Sequence, residues 1–173
     1  MTDDWKSVFF SIINPHQSVN LQFQFQFQRG GTMQQLLFEF PGNTAILEKV
    51  GNLAADAGRN AGFDDMEIGD IELAVDEICS NTIIHGLKRD PTRMFQLVIQ
   101  WEKGFIEILV HEDGEPFNPA AVQPPDLTAS VEERTIGGLG IFFVHKVMDK
   151  VEYHTNKDGM KTFRMSKRAK SNS

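Results

Sequence analysis

Two spacings of apolar residues take turns along this chain from Met33 onward, one of three to four positions and one of two. The longest helical pattern covers residues 66–86, where Ile71, Ala74, Val75, Ile78, Thr82 and Ile83 recur at steps of three and four. That spacing puts them on one helix face, and Gly86 stands where such a helix would stop. A second helix is expected over about 44–58, with Asn43 as N-cap, and with Ile46, Leu47, Val50, Leu53 and Ala54 on one side. Gly58 and Gly62 are expected to break it. A third, over about 138–148, opens from the run Gly137-Gly138-Leu139-Gly140.

Between these lie strand patterns. QQLLFEF (34–40) ends at Pro41-Gly42, and MFQLVIQW (94–101) meets FIEILVH (105–111) at Glu102-Lys103-Gly104, a hairpin signature. Phe95, Leu97, Ile99 and Trp101 alternate with less apolar neighbours, as do Ile106, Ile108 and Val110. One sheet face is therefore the more deeply buried. KVEYHT (150–155) and MKTFRM (160–165) flank Asn156–Gly159, a second hairpin turn. The expected fold class is α+β: a two-layer sandwich with a mixed, mostly antiparallel sheet and helices packed on one face.

Two stretches lack such order. Residues 112–136 show no period and contain Pro116, Pro119, Pro124 and Pro125; a loop of that length inside a domain is often a lid. Residues 1–32 centre on LQFQFQFQRGG, which suits either a strand or a disordered tail. They are expected to be an N-terminal extension or a mis-assigned start, since Arg-Gly-Gly-Thr before Met33 is encodable by a ribosome-binding stretch. The domain proper then spans 33–166, with 167–173 as a frayed tail.

Composition narrows the classes. With 173 residues, 40% hydrophobic and 24% charged, the chain suits one globular domain with a real core. A net charge of -7 argues against direct nucleic-acid binding and leaves protein partners open. The single cysteine, Cys79, permits no internal disulfide. No run approaches the roughly 18 apolar residues of a membrane span, and no secretory signal is visible, so a cytoplasmic protein without a membrane partner is expected.

Three features carry candidate chemistry. Glu77 and Asn81 lie four apart on the long helix, one above the other. A carboxylate can accept a proton, and an amide oxygen can ligate Mg²⁺; taken alone, though, such pairs are ordinary on helix surfaces. Asp113-Gly114 follows an apolar strand; Asp-Gly is common turn chemistry, but an Asp at a strand end can also accept from an adenine amino group. The Gly137–Gly140 run precedes a helix, where free backbone N–H groups can face phosphate. The three in this order are more specific than any one.

Together, Glu77 with Asn81, Asp113-Gly114 with Phe117, and Gly137-Gly138-Leu139-Gly140 resemble the N, G1 and G2 boxes of the ATPase superfamily of gyrase and the sensor histidine kinases. More closely, the stretches ELAVDEICSNTIIHG, HEDGEPFNP, PPDLTASVEERTIGGLGIFFVHKVMDKVEY and GMKTFRM resemble the anti-sigma regulatory factor group of serine kinases, with the Bergerat ATP-binding fold. The resemblance covers about residues 34–166. It implies ATP and Mg²⁺ as cofactors, Glu77 as general base, and Asn81 as Mg²⁺ ligand. It further implies Asp113 at the adenine amino group, Gly138, Leu139 and Gly140 at phosphate, Thr162 in the adenine network, and His85 as a nucleotide contact. As partners it implies an anti-anti-sigma (STAS) protein phosphorylated on Ser or Thr, a sigma factor held by this chain, and a homodimer. A nucleotide-gated binding module that sequesters a partner without phosphotransfer is the alternative. Glu48 and Lys49 stand where the best-known members use an Arg in partner contact, and Asn118 where many have Asp.

Overall fold

A computed structural model describes residues 33–113 and 139–170. Strands β1 (Gln34–Pro41), β2 (Met94–Glu102), β3 (Phe105–Glu112), β4 (Lys150–Thr155) and β5 (Lys161–Arg168) form one sheet in the order β1-β2-β3-β5-β4. Every neighbouring pair is antiparallel, so the sheet expected to be mixed is antiparallel throughout the described residues. Helices α1 (Leu47–Ala61), α2 (Asp65–Asn81) and α3 (Leu139–Val147) pack on one face. The expected lid after Asp113 and the whole of residues 1–32 lie outside the described residues.

The local chemistry explains where the helices begin and end. Asn43 caps through its side chain, which accepts from Ala45 N at 2.9 Å, but the first turn, Thr44–Ile46, is a 3-10 turn and α1 starts at Leu47. Gly58 does not break α1. It is buried within the helix, where even a Cβ would make no more than ordinary contact, at 3.4 Å, with Ile68 and Ile71 of α2. The stop falls at Gly62, whose φ of 87° gives the left-handed C-cap that favours glycine.

A capping box starts α2: Asp64 Oδ1 accepts from Glu67 N at 2.8 Å and Glu67 Oε2 accepts from Asp64 N at 3.1 Å. The other Glu67 oxygen accepts from Lys170 N at 2.8 Å, tying the helix start to the C-terminal end of the sheet. At its far end α2 does not simply stop. The backbone continues as a π-helical turn, Thr82–Gly86, closed by Leu87 N donating to Thr82 O at 2.8 Å.

The alternation read from sequence sets the sheet's two faces. Phe95, Leu97, Ile99, Trp101, Ile106, Ile108 and Val110 are all buried, with Phe163 and Met165 of β5, against Val50, Ile71, Val75 and Ile78 of the helices. The opposite face carries polar pairs: Gln96 with Glu39 at 2.9 Å and Arg164 with Glu107 at 2.8 Å. Lys167, buried on the helix side, donates to Asp70 Oδ2 at 2.8 Å and to the Val147 carbonyl, which joins β5, α2 and the end of α3. No helix among the described residues is long and apolar enough to cross a membrane.

Candidate functional site

The site lies where the C-terminal half of α2, the ends of β3 and β5 and the first turn of α3 converge. Ile78, Val110, Ile141 and Phe163 supply apolar walls to a cavity there, and Asn81, Thr82, Glu112 and Lys161 supply its polar groups. Tyr153 of β4 and Gly86 complete the lining.

Glu77 and Asn81, one turn apart on α2, are half-buried. Glu77 faces α3 closely: a side chain at Gly140 would overlap its carboxylate and make it shift. Burial first, and then the neighbouring Asp76 charge, raise the Glu77 carboxyl above its ordinary range. A carboxylate so placed holds a proton more readily than an exposed one, as a general base requires. Leu139 opens α3, while Gly114, Phe117, Gly137 and Gly138 lie outside the described residues.

Three sequence-predicted contacts sit elsewhere than expected. Asp113 does not face the cavity: its side chain is 73% exposed and pairs with Arg93 at 3.0 Å. Glu112, one residue earlier, is buried and lines the cavity instead. Likewise Thr162 points to the opposite sheet face, its Oγ1 2.8 Å from His111 Nδ1, and Lys161, 2% exposed, lines the cavity. Both differences have one cause. Strand side chains alternate in direction, and the pairing of β3 with β5 sets Glu112 opposite Lys161 on one face and His111 opposite Thr162 on the other. A shift of one residue in reading a strand exchanges the faces. His85, the third, is exposed and outside the cavity lining, because the π turn after Asn81 interrupts the four-residue stacking that would have set it over Asn81.

Glu112 and Lys161 are the residues that sequence reasoning missed. A signal for Glu112 was present: Ile106, Ile108 and Val110 mark the buried face, and two positions on is Glu112. The same count back from Met165 and Phe163 reaches Lys161. Both are charged types rarely buried without a partner, yet neither Glu112 Oε2 nor Lys161 Nζ has a hydrogen-bond partner among the described residues. Burial pushes the Glu112 carboxyl up to about 7, against the pull of Lys161 and Arg93 and with a small push from Asp113. Gly86 packs so closely on the Glu112 carboxyl that a side chain there would overlap it.

These groups fit a nucleotide with its metal. The apolar walls suit a flat ring, the orphaned pair suits a polar ring edge, and the Asn81 row leads toward the start of α3, where phosphate would meet helix N–H groups. Among the described residues no cluster of three or more His, Cys, Asp or Glu is placed to hold a metal ion by itself. Mg²⁺ does not need one, since it is typically held by one or two protein oxygens together with substrate phosphates and waters.

Residues 40–167 match the histidine kinase-like ATPase domain family. The serine-protein kinase RsbW of Bacillus mycoides is 31% identical over 94 residues, covering 52% of this chain and 57% of that protein. RsbW of Halalkalibacterium halodurans is 32% identical over 94 residues, covering 52% and 56%. The chain thus spans somewhat over half the length of the curated relatives it matches. Among solved structures, the RsbU and RsbW domains of a Mycobacterium tuberculosis protein superpose with a TM-score of 0.55 at 15% identity, covering 78% of this chain and 32% of that one; the likeness is one of fold.

Proposed function

Since the chain belongs to the histidine kinase-like ATPase domain family, we propose that it binds Mg·ATP in the α2/β3/β5/α3 cavity and acts as a serine kinase and anti-sigma factor. Its substrate is a serine or threonine on an anti-anti-sigma (STAS) protein, in a partner-switching pathway. The observation that carries this reading is the cavity itself: buried Glu112 and Lys161, whose Oε2 and Nζ lack partners among the described residues, and Asn81 in its lining, with Glu77 one turn away on the same face of α2. The similarity to RsbW serine-protein kinases supports the kinase assignment.

Bound Mg·ATP supplies the transferable phosphoryl group and a hard cation to neutralise its charge. The chain's own residues do the positioning that phosphoryl transfer chiefly requires. Asn81 offers its amide oxygen to the metal. Glu112 accepts a hydrogen bond from the base. The backbone N–H groups opening α3 at Leu139 and Gly140 are fixed donors for phosphate oxygens. Glu77 accepts the proton of the incoming serine hydroxyl; its raised proton affinity brings it closer to working pH, where general-base catalysis is most effective.

The test is a calorimetric titration with Mg·ATP followed by incubation with labelled ATP and candidate STAS proteins. Label on a partner serine or threonine is the expected result. Tight binding with no label on any partner would favour the gated module that sequesters without transfer. No heat at millimolar ATP overturns the reading.

A further inference from the structure

Among the described residues six large apolar side chains are exposed. Met33, Met94 and Met160 stand at or just before the starts of three different strands. The other three, Met66, Leu73 and Phe143, lie along one seam between α2 and α3. Met66 and Leu73 are seven positions apart and Glu77 is four further on, so these three share a helix face. Helix α3 runs antiparallel beside that face. Its first turn meets Glu77 at Gly140, and at its other end the Val147 carbonyl shares Lys167 Nζ with Asp70. Phe143 therefore stands level with Leu73, the two at 42% and 40% exposure.

Charge frames the same ground. Helix α2 has six acidic residues and no lysine or arginine. Glu67 accepts from Lys170 N, and Asp70 from Lys167. Asp65, Glu72 and Asp76, at steps of seven and four, follow the flank of the apolar row away from α3, and form no ion pair among the described residues. A protein whose serine or threonine hydroxyl is brought to Glu77 has to lie over this ground. A standard interface takes about 800 Å² from each partner, a disc of roughly 16 Å radius. At 1.5 Å per residue, Leu73 is about 6 Å and Met66 about 16 Å along the helix from Glu77. We propose that the α2/α3 seam is the docking face for the protein substrate, which meets it with an apolar ridge seated on Leu73 and Phe143 and a rim of lysine or arginine. This rests on the kinase reading of the site and goes beyond it by naming the surface and the chemistry that a substrate must carry. Phe143 is the anchor, as aromatic side chains at the centre of an interface are. The acidic row speeds encounter with a basic partner.

The probe is whichever STAS protein the full chain labels from Mg·ATP. Leu73→Asp and Phe143→Asp are each expected to raise KM for that protein roughly 10- to 100-fold, the range of a lost hot spot, while kcat and Mg·ATP affinity stay within about twofold. Met33→Asp, at a comparably exposed position, is expected to leave KM alone. With the unaltered chain, KM rises as salt screens the acidic row, and Asp65→Asn combined with Glu72→Gln flattens that rise. Should an aspartate variant lose Mg·ATP binding, Leu73→Ser and Phe143→Ser carry the same comparison, and the salt series needs no variant. A KM unmoved by substitution at both Leu73 and Phe143, or indifferent to salt, overturns the inference and leaves the kinase intact. So does a changed sedimentation coefficient with unmoved KM, which would give the seam to a second copy of the chain. No label on any STAS protein overturns the kinase reading itself, and this inference with it.

Discussion

The carboxyl of Glu112 is pushed from an ordinary 4.5 to about 7 by burial, and that displacement has a consequence for stability. In the folded chain the group keeps its proton where the unfolded chain has already released it. The folded state is therefore favoured below about pH 4.5 and loses that contribution as pH rises toward and past 7. The full difference is worth at most about 3 kcal/mol, and water at the cavity mouth reduces it. Glu112→Gln is expected to flatten the fall in melting temperature between about pH 5 and pH 8 relative to the parent chain; an unchanged slope would count against a buried, proton-holding Glu112. Glu77→Gln addresses the other end of the site. The amide keeps the size of the side chain and cannot take the proton, so Mg·ATP binding should persist while transfer falls roughly 10²–10⁴-fold; equal transfer rates would remove Glu77 from the base role. At this scale the shared face of Glu77 and Asn81 was legible, while the structure turns the side chains of Asp113 and Thr162 away from the cavity. Glu77 and Asn81 follow from a four-residue spacing that any α-helix fixes. Asp113 and Thr162 were drawn by their chemistry, whereas the pleat decides which of two neighbours faces the cavity, and it chose Glu112 and Lys161.

At the scale of elements, α3 and α2 meet through the absence of a side chain. Gly140 lets the first turn of α3 rest on the Glu77 carboxylate. Gly140→Ala should push the Glu77 carboxylate aside at little cost in stability, and should weaken nucleotide affinity more than a distant substitution of equal cost. Preserved affinity in a calorimetric titration would show that this contact does not position the phosphate end. The helices themselves were readable from their period and caps: Asn43 caps and Gly62 stops α1. Gly58, expected as a breaker, lies buried inside α1 against Ile68 and Ile71, where packing outweighs its weak helix propensity. The π turn at Thr82–Gly86 left no trace in the sequence, because Thr82 and Ile83 continue the helical stripe.

Across the whole molecule, Lys167 links three elements through Asp70 and the Val147 carbonyl. Lys167→Met keeps much of the apolar stem and removes the donor. The expected cost is about 1–3 kcal/mol in denaturant unfolding, together with weaker nucleotide binding, because the end of α3 is no longer tied to the sheet. A variant with parent-like stability would mean that Asp70 and the carbonyl are served by water. The sheet order β1-β2-β3-β5-β4 brings the end of β3 beside the start of β5, and this non-sequential pairing closes the cavity against α2.

By itself the sequence determined the order of the main helices and strands, the buried face of α1, α2, β2 and β3, and the shared face of Glu77 and Asn81, because those depend on periodicity within a few residues. Tertiary structure alone decided the pairing of β3 with β5, the wider turn beyond Asn81, and the meeting of Glu112 with Lys161. Those depend on contacts between residues far apart in the chain, such as the 49 positions from 112 to 161, and no local spacing encodes them.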